Sequence, residues 1–109
     1  MHELGIAQAI VDTVAETVGE ARVTRIVLEV GALALVLPDA LRFCFDLAAA
    51  DTAVAGAALE IVETPGRARC RACGGEVRLL QAFGRCACGE SDLEWLAGEE
   101  LRIKTVEVQ

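Results

Sequence analysis

The stretch that decides the architecture is RARCRACGGEVRLLQAFGRCACGESDLEW, residues 67–95. Four of the chain's five cysteines fall here, as Cys70-Arg-Ala-Cys73 and Cys86-Ala-Cys88, with residues 74–85 between the pairs. A glycine follows each pair, Gly74 after the first and Gly89 after the second. Glycine permits the tight turn that aims backbone N–H groups at sulfur. Two such knuckles can gather four thiolates around one tetrahedral cation. The segment has too little apolar material for a core of its own. Metal binding would then supply its folding energy, on the order of 10 kcal/mol or more in small zinc modules.

An odd number of cysteines in a reducing compartment favours metal ligation over a disulfide framework. Structural Zn(II) on Cys70, Cys73, Cys86 and Cys88 is therefore the expectation. Iron in a rubredoxin-like site and a redox dithiol at Cys70–Cys73 compete with it. The dithiol lacks the strand-to-helix context of a thioredoxin motif. Cys44, between Phe43 and Phe45, reads as a buried, inert thiol.

Outward from this module the patterning is regular. Residues 3–18 repeat Ile6, Ile10, Val14 and Val18 at i+4, which predicts an amphipathic helix stopped at Gly19. RVTRIVLEVGALALVL (22–37) reads as a strand, with Gly31 marking a bulge or bend. Pro38 opens a second helix over PDALRFCFDLAAAD (38–51), with Leu41, Phe45 and Ala48 on one stripe. GAALEIVETP (56–65) returns to a strand. The tail EELRIKTVEVQ (99–109) alternates again, with a slip between Ile103 and Val106. The order is α-β-α-β, cysteine module, β, so the last strand rejoins the first sheet and the module is an insertion.

Charge narrows the partners. The net charge is −7. Residues 1–64 hold only Arg22, Arg25 and Arg42 against ten acids. An acidic body disfavours phosphate backbones and anionic membranes and suits cations and basic protein surfaces. Arg67, Arg69, Arg71, Arg78 and Arg85 give the module a basic edge, but Phe83 is the single aromatic residue falling among them, not an interleaved stacking series. Nucleic acid is not an expected partner, and solvated arginines are the reading. No signal peptide or apolar membrane span is recognisable, so the expected compartment is the cytoplasm.

His2 is the sole histidine. A free α-amine, the His2 amide nitrogen and Nδ1 can chelate one cation in fused small rings, and Glu3 adds an amide nitrogen and a carboxylate. Such nitrogen-rich surroundings suit Ni(II) or Cu(II). The imidazole must be neutral to bind, so affinity falls with acidification. Histidine is too large at the second position for usual methionine removal, which keeps Met1 in the chelate. On the residues alone, a merely solvated histidine competes with this reading.

The whole chain resembles the HypA/HybF family of hydrogenase-maturation nickel chaperones. The resemblance is carried by Met1-His2-Glu3 with LGIAQAIVD, by LEVGAL (28–33), PDALRFCFDL (38–47), the cysteine module and LRIKTVEV (101–108). It implies an α+β fold: two helices packed on a three-stranded sheet with an inserted small zinc-ribbon-like domain. It implies a nickel-binding domain at 1–65 and 99–109 and a zinc-binding domain at 66–98. It implies Met1, His2 and Glu3 as the nickel site and Cys70, Cys73, Cys86 and Cys88 as the zinc site. Implied partners are the nickel-handling GTPase HypB and the large subunit of nickel–iron hydrogenase; some members also serve urease maturation. One departure stands out: the second knuckle is Cys86-Ala-Cys88, where the family more often has CxxC. No Ser/His/Asp set, phosphate loop or acid–base pair is evident, so the expectation is a metallochaperone and not an enzyme. A zinc-ribbon adaptor that binds a protein and carries no nickel is the rival.

Overall fold

The computed structural model describes residues 2–109. In chain order the elements are α1 (His2–Val18), β1 (Val23–Gly31), α2 (Pro38–Ala49), β2 (Ala58–Thr64), β3 (Gly66–Cys70), β4 (Glu76–Leu79), β5 (Leu93–Ala97) and β6 (Leu101–Val108). They form two three-stranded sheets, ordered β2-β1-β6 and β4-β3-β5. The fold is α+β, and the closing strand lies beside the first one, as the hydropathy pattern predicts. The chain divides into two compact units, one of Met1–Leu28, Val36–Ile61 and Ile103–Gln109, the other of Glu29–Leu35 and Val62–Arg102.

In the first unit the two helices pack on each other. α1 buries Ala7, Ile10, Val11 and Val14, and α2 buries Leu41, Cys44, Phe45 and Ala49. Both sets follow the 3.6-residue period. β1 adds Val23, Ile26, Val27 and Leu28, and Cys44 is buried as the sequence predicts. On the open side of the sheet Arg25 bonds Glu60 of β2 at 3.1 Å and also Glu107 of β6, so one guanidinium bridges both neighbours of β1. Ile26 is fully buried. Ile26→Val is expected to lower stability by about 1 kcal/mol, read as a shifted urea midpoint at unchanged slope.

Two predicted elements end early. The strand expected over 22–37 stops at Gly31, because residues 32–34 turn: Ala34 N–H donates to Gly31 O at 3.0 Å. Leu35 then takes φ 59°, a left-handed backbone incompatible with a ladder. The helix expected to 51 ends at Ala49, whose carbonyl accepts from the Thr52 hydroxyl at 2.6 Å while Asp51 sits at φ 63°. In β6 the half-buried residues are Leu101, Ile103 and Val106, so the slip read from the sequence is present inside a continuous strand.

The second unit has β3 at its centre, antiparallel to β4 and to β5. Gly66, Ala68 and Cys70 face inward and Arg67 and Arg69 face out. The arginines are solvated or paired, Arg67 with Glu76 at 2.6 Å and Arg71 with Asp92 at 3.2 Å. The core is small: Leu33, Ala68 and Leu79, with Val77 and Leu93 packed against it. Leu33 comes from the turn after β1, far from the cysteines in sequence. Its N–H donates to Gly98 O at 2.8 Å, and the neighbouring Gly31 N–H donates to Glu100 O at 2.8 Å.

Candidate metal centre

The second unit brings Cys70, Cys73, Cys86 and Cys88 together, with all four Sγ atoms within 4.8 Å of one another. The closest pairs cross between knuckles, Cys70–Cys88 and Cys73–Cys86, each at 3.6 Å. Zn–S bonds of about 2.3 Å in a tetrahedron put sulfurs about 3.8 Å apart. The donor set therefore fits one tetrahedral thiophilic cation.

Both knuckles obey one hydrogen-bonding scheme. In the first, Cys70 N–H donates to Gly75 O (2.8 Å) and Gly74 N–H to Cys70 O (2.9 Å). In the second, Cys86 N–H donates to Glu90 O (2.9 Å) and Gly89 N–H to Cys86 O (2.8 Å). The second loop closes the same pair of bonds with one residue fewer. Gly74 (φ 74°) and Gly89 (φ 94°) supply the left-handed residue each turn needs. The shortened Cys86-Ala-Cys88 motif thus closes the same kind of backbone turn as Cys70-Arg-Ala-Cys73.

The electrostatics fit a cation as well. The Cys73 N–H, with that of Ala72, favours the Cys70 thiolate and brings its pKa to about 7 against the opposing effect of burial. For Cys73 the Gly75 N–H acts the same way, but the sulfurs of Cys86 and Cys70 outweigh it and its pKa rises. For Cys88 the Glu90 N–H is likewise outweighed by Cys70 and Cys86, and the pKa is pushed up to about 12. Four thiolates cannot share this volume without a positive ion among them. Loading the site must therefore release protons.

The amino-terminal candidates lie in the first unit. Met1 is outside the described residues. The His2 side chain is 56% exposed, whereas that of Glu3 is 8% exposed. Glu3 Oε2 accepts from the Leu37 N–H at 3.3 Å and stands 3.3 Å from His2 Nε2. Leu37 is the N-cap of α2 and has no side-chain cap, so Glu3 supplies the anion that this helix start attracts. The Leu37 N–H holds the Glu3 carboxyl below the usual carboxylate range; burial opposes this, and Glu3's own amide and His2 add to it. The carboxylate is engaged inside the unit, and the sequence carries no sign of that, since its partner is a backbone amide 34 residues away. Leu33 in the cysteine unit's core is the other residue that sequence reading missed.

Known proteins resemble this chain along its whole length. Residues 1–108 match the model of the family described as hydrogenase/urease nickel incorporation, metallochaperone, hypA. The chain is 50% identical over 109 residues to the hydrogenase maturation factor HypA of Nostoc punctiforme, covering 100% of this chain and 96% of that protein. It is 42% identical over 110 residues to that of Geobacter metallireducens, covering both chains fully at 100%. The solution structure of the Ni metallochaperone HypA from Helicobacter pylori shares the fold, with TM-score 0.62 at 19% identity over 97% of this chain and 96% of that one.

Proposed function

Because this chain belongs to the HypA family of hydrogenase/urease nickel-incorporation metallochaperones, we propose that it carries Ni(II) at its amino terminus and surrenders it during hydrogenase maturation. The nickel site comprises Met1, His2 and Glu3: the α-amine, the His2 amide nitrogen and Nδ1, and the Glu3 amide nitrogen. The observation that carries this reading is the pairing of an exposed His2 with a buried Glu3. Glu3 fixes the first turn of α1 to the start of α2 through Leu37. The imidazole is held at the surface, with Nε2 facing the carboxylate and Nδ1 left for the chelate. Exposure is what a transfer site requires, because an acceptor must replace the ligands one at a time.

The proposed division is a nickel-binding domain of residues 1–65 and 99–109 and a zinc-binding insertion of 66–98, although by compactness Glu29–Leu35, Val62–Pro65 and Glu99–Arg102 group with the cysteines. Cys70, Cys73, Cys86 and Cys88 would hold Zn(II), which would contribute folding energy and no reaction chemistry. The proposed partners are the nickel-handling GTPase HypB and the large subunit of nickel–iron hydrogenase, with urease maturation proteins as a second destination. No helix among the described residues is long and apolar enough to cross a membrane. Cytoplasmic work in a reducing compartment suits the free thiols.

The test is a Ni(II) titration of protein made without an amino-terminal tag, beside His2→Ala, with zinc counted in both. The expected result is one nickel per chain in the parent, lost in His2→Ala with zinc unchanged. Equal nickel binding by both proteins would sink the proposal and favour the zinc-ribbon adaptor.

A further inference from the structure

α2 has an unpartnered outer face. Opposite its buried residues, Phe43 and Leu47 are 66% and 58% exposed, one helical turn apart. Single exposed apolar residues are ordinary. Here two large ones form a stripe, and Leu37, also 66% exposed, precedes the same helix. The outer face of α1 differs: Leu4 is its single large apolar residue, and Gln8, Asp12, Thr13, Glu16 and Thr17 are all polar. The stripe lies in a net acidic setting: along α2 and just past it Asp39, Asp46 and Asp51 outnumber Arg42, whose guanidinium donates to the Leu59 carbonyl at 2.7 Å. Asp46 and Asp51 are exposed, and no described residue forms an ion pair with either. The Leu37 N–H is held by Glu3, so α2 begins at the end of the molecule that holds His2.

We propose that the Phe43–Leu47 stripe of α2 is a docking surface for a protein segment that presents apolar side chains flanked by lysine or arginine, borne by the partner that exchanges nickel with this chain. The proposal rests on the nickel-carrier reading for the identity of that partner, but not for the surface. Charge chooses the occupant. Nucleic acid and anionic membranes are repelled by the acids around the stripe. A second copy packed on the stripe about a two-fold axis would bring like charges together, Asp46 among them. A basic segment gains both apolar burial and charge complementarity, which steers its encounter.

The experiment measures binding of the purified nickel-handling GTPase and, separately, of the hydrogenase large subunit. They are presented to the parent, to Phe43→Ser/Leu47→Ser and to Asp46→Lys, with melting temperature, zinc and nickel content recorded for each. At least one partner is expected to bind the parent. Its affinity should fall about thirtyfold or more in the double variant. Asp46→Lys should weaken binding and flatten its dependence on salt. Both variants should stay folded and keep their metals, since the altered side chains are exposed. Undiminished binding by folded variants overturns the proposal. So does failure of both partners to bind the parent, or dimerisation of the parent that the double variant abolishes. Loss of partner binding in variants of a protein that takes no nickel would leave the surface standing and remove the carrier reading alone.

Discussion

Gly31→Ala is expected to destabilise the protein by about 4 kcal/mol or more, enough to leave little folded material at ordinary temperatures. The reason is geometric. A Cβ on Gly31 would lie 2.0 Å from the Gly98 carbonyl oxygen and 2.3 Å from its carbon. Neither backbone can retreat easily. Gly31 N–H is bonded to Glu100 O, and Gly98 O accepts from Leu33 N–H, both at 2.8 Å. Gly98, at φ 115°, has Gly66 Cα 2.5 Å from where its own Cβ would stand. Gly66 in turn is closed off by the Leu33 side chain at 2.6 Å. Three glycines and one leucine form a single contact chain, so strain at Gly31 propagates into the core of the cysteine unit. Gly5→Ala is the control, because a Cβ there meets nothing within 4 Å. Denaturant unfolding of the two variants checks the expectation. A Gly31→Ala protein within about 1 kcal/mol of the parent would show that the contact relaxes.

Cys70→Ser should have a larger effect on the cysteine unit, on the order of 10 kcal/mol of metal-linked folding energy. Cys70 is the most deeply buried of the four cysteines, at 1% exposure, and its sulfur is favoured as a thiolate by backbone N–H groups. Without the cation, the remaining core of Leu33, Ala68 and Leu79 is too small to hold the strands. Two probes separate the units. Trp95 is the sole tryptophan and lies in β5, so its fluorescence reports the cysteine unit. Both helices lie in the other unit, so the far-ultraviolet helical signal reports that one. The expected outcome is loss of bound metal and of the native Trp95 emission with the helical signal retained, and the same result on chelating the parent. A variant that keeps its metal and its emission would remove Cys70 from the ligand set.

The legible part of the fold was the part written in periodicity. α1 and α2 repeat their apolar residues at helical spacing, and the burial of Ile10, Val14, Leu41 and Phe45 follows it. The cysteine cluster was legible because sulfur chemistry leaves few uses for paired knuckles. What stayed hidden depends on distant partners. Residues 32–37 are apolar enough to prolong a strand, yet Leu33 is drawn into a core whose other members lie beyond residue 67. Glu3 looked like an outward donor because nothing local shows that Leu37 N–H awaits it. The shorter second knuckle looked like a departure, and its equivalence appears only when its hydrogen bonds are set beside those of the first.

Leu33 also limits how the cysteine module can be moved between proteins. A chimera that grafts only residues 66–98 would carry every sulfur and every knuckle glycine, yet leave a leucine-sized hole against Ala68 and Leu79. The transplantable piece is discontinuous, with Glu29–Leu35 travelling beside Val62–Arg102. Moving the module into a relative takes four cuts in the gene, one at each end of both segments, or a host residue at this place that fills the volume of Leu33.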